Sequence, residues 1–444
     1  MATLTLVVSF ILLLALNVPV AFAIGIATAL GVVATSELPG ALLVAQRMAT
    51  GIDSFTLLAI PFFILAGLLM GQGGIARRLI DLADVLVGRL RGGLSSVTIL
   101  TCMLFGSVSG SAAAAVSSIG SFMVPAMNER NDNPPLNTAI VVTASTTGLL
   151  IPPSNIMIIY AMATGGAVSV AAIFLAGVVP GVLVGLALMA VAAVVAPDSS
   201  GGTGWSLREL VIRLGRAVPA LAMVVIVLGG IVAGVFTATE ASAIAVLYAL
   251  VLSLGVYREV GVRELPALLL RCGVITSVVM LLVGASSAMA WILAYENVPQ
   301  VLGTALLRLS DDPVVILLLI NIFMLAAGTV IDMTPAVLLF TPIFWPVVLS
   351  LGIDPLHFGV VLIMNLCIGL CTPPVGTCLF LGCGIGDTTV PRMLPKLLPF
   401  YAAMIAALLL TTLVPSLTLA LPRAAASRPD RNRDSPCGYR RRRR

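Results

Sequence analysis

The sequence predicts an all-α polytopic membrane protein of two inverted-topology repeats, each with about five transmembrane helices and one re-entrant helical hairpin. Three observations lead there. The 444 residues are 59% hydrophobic and only 10% charged, with a mean hydropathy of +1.14. A water-soluble chain needs far more polar surface. A landmark pattern also recurs 221 positions along, without a gap: Pro125 falls on Pro346, Gly148-Leu149 on Gly369-Leu370, and Pro152-Pro153 on Pro373-Pro374. Finally, both copies of this pattern are broken by Gly, Ser and Pro inside apolar surroundings, the sequence pointer to a substrate site in a secondary transporter.

The elements follow in order. Apolar runs at 3–16 and 19–35, parted by Asn17-Val18-Pro19, read as two short spans or one long broken one. Their start lacks a basic n-region, so a first span fits better than a cleaved signal peptide. A further span covers about 54–72. Residues 75–91 put apolar side chains at helical spacing with charges opposite, which predicts an amphipathic helix along the interface. Two apolar arms at 94–109 and 112–126 flank Gly110-Ser111. Each is short for a span of ~20 residues, so the pair predicts a hairpin. A broken span at 136–163 and another span at 168–197 complete the first repeat, 1–197.

Residues 198–216 are the only long polar interruption and read as a cytoplasmic linker. The second repeat, 217–422, runs through spans at 217–236, 239–257 and 272–295, then an interfacial piece at 298–310. A hairpin at 313–350, a broken span at 355–385 and a last span at 391–421 follow. An odd number of crossings per repeat makes two tandem copies inverted. Charge agrees: Arg77, Arg78, Arg89 and Arg91 outnumber Asp81 and Asp84 on the first arm, while Arg308 faces Glu296, Asp311 and Asp312 near the second. The positive-inside rule puts the first arm in the cytoplasm and the second outside. The Arg-rich tail, 423–444, argues for a cytoplasmic C-terminus against the repeat count; the repeat is preferred.

Bare backbone polar groups are not tolerated in hydrocarbon, so the breaks must line a cavity or pack in protein. Freed carbonyls and hydroxyls suit Na⁺, and half-helix N-termini attract carboxylates. Ser107, Ser109, Gly110 and Ser111 at one tip, with Gly328, Asp332 and Thr334 at the other, supply such groups. So do Pro152, Pro153, Ser154 and Asn155 at one break and Thr372, Pro373, Pro374 and Gly376 at the other. Ser107, Ser111, Asp332, Thr334 and Thr372 are the Na⁺ candidates among them. Gly and Ser can also serve only close helix packing, but two matching copies beside paired prolines favour a site. Asp332 is the sharpest residue, because an intramembrane carboxylate is costly; a plain helix cap is its competing role. Glu240 reads as a cap and His357 as interfacial. No Arg or Lys is expected within a span away from its ends.

Some chemistries are excluded or weak. The seven Cys form no CxxC pair, one His cannot build a His-rich metal site, and no Walker A motif or nucleic-acid signature occurs. Gly106–Gly110 matches G-x-S-x-G, yet it lacks the strand–turn–helix setting of a hydrolase, so no enzyme is expected. A passive channel or facilitator remains the alternative to a secondary transporter.

Six stretches resemble one family. They are Ala45–Gly67 (AQRMATGIDSFTLLAIPFFILAG), Gly106–Ser111 (GSVSGS), Ile151–Ser154 (IPPS), Phe236–Ala241 (FTATEA), Ile353–Val361 (IDPLHFGVV) and Leu370–Gly376 (LCTPPVG). Their order and spacing are similar to the large membrane subunit of tripartite ATP-independent periplasmic (TRAP) transporters. The resemblance implies an elevator-type, Na⁺-driven importer of a small organic acid in the bacterial inner membrane. It implies two partners, a small TRAP membrane subunit and a periplasmic substrate-binding protein, and no cofactor beyond Na⁺ as coupling ion. Carried over by motif, the tips and breaks named above would hold Na⁺ and substrate. The chain departs from the pattern at Ala112–Ala115, where some relatives carry Asp, and at Asn155, where an apolar residue is common.

Overall fold

Two helices have almost no outward face. Pro134–Thr147 is buried at every residue from Leu136 on, and Pro355–Gly369 at every residue from His357 on. A helix buried all round must be wrapped on all sides by others. The first carries hydroxyls inward, and Thr138, Thr143, Ser145, Thr146 and Thr147 each donate to a carbonyl three or four residues back. These side chains therefore need no external partner. The computed structural model describes residues 2–16, 18–35, 40–72, 74–130, 133–196, 207–310 and 312–426, and every described element is a helix.

Around these axes lie two helical hairpins, Gly93–Ser109 with Ala112–Arg130 and Pro313–Gly328 with Met333–Ser350. Each axial helix stops at its Pro-Pro sequence and resumes as a short half-helix, Asn155–Ala163 or Thr377–Ile385. Both Pro-Pro bonds are cis. The half-helices cross over: Asn155–Ala163 packs on Met333–Ser350, and Thr377–Ile385 packs on Ala112–Arg130. Val170–Val195 and Val390–Leu413 close this inner body. An outer layer comprises Ala2–Ala15, Val20–Val33, Gly40–Ile52, Ala59–Gln72, Leu207–Val232, Ala238–Leu250 and the 31-residue Leu265–Tyr295. Seven of the described helical stretches are long and apolar enough to cross a membrane.

Helix starts keep the register read in the sequence. Val298, Pro313, Met333, Pro355, Thr377 and Val390 lie 223, 220, 221, 221, 222 and 220 residues after Ile75, Gly93, Ala112, Pro134, Asn155 and Val170. The amphipathic helix Ile75–Val87 is pinned to the outer layer. Arg78 pairs with Glu259 at 2.9 Å and stacks on the Tyr257 ring, and Arg213 bridges Asp84 at 3.0 Å and Glu209.

Several expectations change. A helix at Gly40–Ile52 fills a stretch given no element, and Arg47 on it stacks over Trp291. The expected linker is already helical from Leu207, because Glu209 and Arg213 pair one turn apart; residues 197–206 lie outside the described set. The gap between the spans expected at 239–257 and 272–295 closes early, since Leu265–Tyr295 starts with a Pro in its first turn, a position that tolerates the missing N–H. The last span ends at Leu413, and Pro415 separates it from Ser416–Ala426; Asn17, Asp311 and tail residues 427–444 are outside the described set. His357 is buried against protein, with Nδ1 3.0 Å from Thr418 Oγ1. Its burial follows from Ser416–Ala426 folding back over that end of the axial helix. Glu240 does cap its helix, in a reciprocal capping box with Thr237.

Candidate substrate site

The first tip turns in two residues. Gly110 adopts a left-handed φ of 60°, which a Cβ would strain, and its N–H closes the first arm on Gly106 O at 2.7 Å. Ser111 then starts the second arm, its Oγ accepting from the Ala114 N–H at 3.3 Å. The tip is wedged in place. A Cβ on Gly67 would lie 2.7 Å from Ser109 O, and one on Gly110 would lie 3.4 Å from the Asn155 side chain.

The second tip is longer and carries the charge. Asp332 occupies the N-cap position of Met333–Ser350, yet its side chain makes no capping bond to that helix. Instead Oδ1 accepts from Thr377 Oγ1 at 3.2 Å, joining the tip to the start of the second half-helix. The Val375 N–H donates to Thr329 O at 3.0 Å, a further tie between break and tip. The break itself is held from behind, where the Tyr401 hydroxyl donates to Cys371 O.

Each hairpin also meets its own axial helix backbone to backbone. A Cβ on Gly106 would overlap the Cα of Gly148, and a Cβ on Gly369 would overlap the backbone of Gly328. These approaches bring both tips and both half-helix starts onto one cavity of about 590 Å³. Its polar wall comes from the inner body: Ser109, Gly110, Ser111, Ser117, Ser118, Asn155, Asp332, Thr334 and Thr377. The facing wall is apolar and comes from the outer layer, through Ile60, Ile64 and Leu68 on one helix and Ile275 and Val279 on another.

Of the residues singled out in sequence, Ser109, Gly110, Ser111, Asn155, Asp332 and Thr334 line this cavity. Ser107, Pro152, Pro153, Ser154, Gly328, Thr372, Pro373, Pro374 and Gly376 do not line it. Ser107 and Thr372 spend their hydroxyls on Leu104 O and Ile368 O, both at 2.7 Å. Ser154 differs: it is 1% exposed and its Oγ has no hydrogen-bond partner, a costly state for a buried hydroxyl. Sequence reasoning missed Gln72, Ser117, Ser118, Arg271 and Thr377. Ser117 and Ser118 were legible as the next turns of the small-residue run after Ser111. Thr377 follows the second Pro-Pro motif directly. Arg271 was hidden by its assignment to a loop.

The architecture is that of a multi-pass membrane permease with a polar cavity between an inner and an outer layer. The sequence matches the family described as "Tripartite ATP-independent periplasmic transporter, DctM component" over residues 7–417. It is 46% identical to "Uncharacterized protein YgiK" of Salmonella typhimurium, over 93% of this chain and 95% of that one. It is 39% identical to the C4-dicarboxylate TRAP transporter large permease protein DctM of Pseudomonas aeruginosa, over 83% of this chain and 87% of that one. The fold is similar to the Alcanivorax borkumensis YdaH transporter, with TM-score 0.61 and 13% identity over 87% of this chain and 90% of that one. The chain belongs to the TRAP transporter large permease family, and the resemblance read from its motifs holds.

Proposed function

We propose that this permease imports a small organic acid, of the carboxylate or dicarboxylate class, across the bacterial inner membrane in symport with Na⁺. The observation that carries it is the convergence of both hairpin tips and both half-helix starts on one cavity bearing a single carboxylate, Asp332. Oxygen-rich tips, the unpartnered Ser154 hydroxyl and the Asp332 carboxylate suit a hard monovalent cation. Helix N-termini and hydroxyls suit the carboxylate of a substrate. Family membership and the dicarboxylate permease relative favour an organic acid delivered by a periplasmic binding protein, with a small membrane subunit alongside. The passive channel finds no support in the family match. Proteoliposomes holding both membrane subunits should accumulate succinate, or another acid of this class, only with an inward Na⁺ gradient and loaded binding protein. Uptake by the permease alone, indifferent to Na⁺, would return the facilitator to favour.

The same reading takes 1–197 and 217–422 as inverted repeats, and the inner body as the part that moves in an elevator cycle. The matched helix register and the crossing of the half-helices support it. Cysteines placed at the exposed Asp81 and Ala305 should then react with an impermeant maleimide from opposite sides, the first from the cytoplasm. Reaction of both from one side is incompatible with inversion.

A further inference from the structure

Among the described residues, Arg271 is the one cationic residue lining the cavity, and Asp332 the one anionic residue. The guanidinium lies in the second turn of Leu265–Tyr295 and is exposed. Among the described residues it has no hydrogen-bond or ion-pair partner, unlike Arg78 on Ile75–Val87 and Arg213 on Leu207–Val232, which are both paired. With Gln72, the last residue of Ala59–Gln72, it also lines a second, more open pocket of about 560 Å³ completed by Glu264, Ala267 and Leu268. The two pockets share Gln72 and Arg271. Arg271 therefore stands where the cavity opens outward. That end is the arginine-rich one, since Ile75–Val87 and its partners Glu259 and Tyr257 follow directly from Gln72 and precede Leu265.

A guanidinium at the neck of a passage whose other charges are Asp332 inside and Glu264 at the outer rim is an anion attractor. Low-dielectric walls focus its field into the opening, and its planar fork matches a carboxylate. Its position in the outer layer separates it from the polar wall, which belongs to the hairpins and half-helices. We propose that Arg271 forms a second, weaker anion station at the cavity mouth, which receives the acid's carboxylate as it leaves the hairpin tips for the cytoplasm. Glu264, on the outer rim, repels the acid and keeps the station weak enough to release it. This deepens the proposed organic-acid transport and rests on it for its physiological meaning, but the electrostatic claim can be tested without any substrate.

The test uses Ser118→Cys in a background with the native cysteines replaced, since Ser118 lines the cavity and its hydroxyl is small. The rates of modification by an anionic sulfonatoethyl thiosulfonate and its cationic trimethylammonium counterpart are compared at low salt. With Arg271 present the anionic reagent should be favoured. Arg271→Gln should lower the anion-to-cation rate ratio about tenfold, Arg271→Lys should restore it, and Glu264→Gln should raise it. Added salt should compress all the differences. An unchanged ratio in Arg271→Gln overturns the proposal, whatever the transport assays give. In vesicles that transport, Arg271→Gln should raise the internal acid concentration needed for half-maximal exchange several-fold and leave the external one unchanged. Equal shifts on both faces would place Arg271 in the principal site and overturn a separate station. If wild-type vesicles take up no acid while the reagent ratio responds as stated, the transport reading fails and the anion station stands.

Discussion

Asp332→Asn is expected to raise the Na⁺ concentration for half-maximal uptake by about tenfold or more, at normal protein level and normal thermal stability. Loss of one full charge ~4 Å from a bound cation amounts to between ~1 kcal/mol in bulk water and ~4 kcal/mol at a protein surface, against the ~1.4 kcal/mol that a factor of ten represents. The competing role makes the opposite claim. A cap is worth ~1 kcal/mol and Asn caps as well as Asp, so a purely structural Asp332 would leave Na⁺ dependence untouched. The geometry already leans away from that role, because the carboxylate makes no capping bond and instead accepts from Thr377. Ser111→Ala, at the matching position of the other tip, should show a milder shift in the same direction. Uptake titrated with Na⁺ at fixed acid concentration decides it; identical Na⁺ curves for wild type and Asp332→Asn would leave Asp332 a structural residue.

Gly106→Ala should cost more than its size suggests. In a helix interior the change ordinarily gains about 0.5–1 kcal/mol, because Ala loses less entropy than Gly. Here the new Cβ would overlap the backbone of Gly148, which no rotamer change relieves. Overpacking typically costs ~1–3 kcal/mol, and an overlap with backbone belongs at the upper end, so the penalty outweighs the gain. Gly369→Ala meets Gly328 in the same way. Both should lower the thermal midpoint in detergent and cut uptake by about tenfold or more, because each clash displaces a hairpin from its break. Gly229→Ala, with nothing within 4 Å of the added Cβ, serves as the control and should be neutral or stabilising. Wild-type stability in Gly106→Ala would mean that hairpin and axial helix do not touch as described.

The parts most readable in the sequence were those with strong local punctuation. Gly110-Ser111 and the two Pro-Pro sequences mark their turns by backbone chemistry alone, and helices end and restart on either side of each. Asp332 stood out because a carboxylate within apolar sequence has few uses. Elements set by tertiary packing were harder. Gly40–Ile52 carries Gln46, Arg47 and Thr50, and it is held as a helix by its packing on Leu265–Tyr295 and by the Arg47–Trp291 stack. Arg271 was missed for a related reason: three arginines between 258 and 271 look like a solvated loop, whereas a helix starting at Leu265 carries the last of them into the cavity wall. The burial of His357 was not legible because nothing local announces that a later helix will fold over it.

The crossing of the half-helices has a consequence for how the chain comes to its final state. Asn155–Ala163 leans on an arm nearly two hundred positions downstream, and Thr377–Ile385 leans on one far upstream. Neither half-helix is therefore packed by its own half of the sequence alone. While the ribosome is still making the second half, Ile151–Asn155 has no complete wall against lipid, and the bond-starved backbone there must wait for Met333–Ser350 to be inserted. The inner body is thus assembled late and all at once, like two interlaced hands, with the binding surfaces coming into being only when both halves are home.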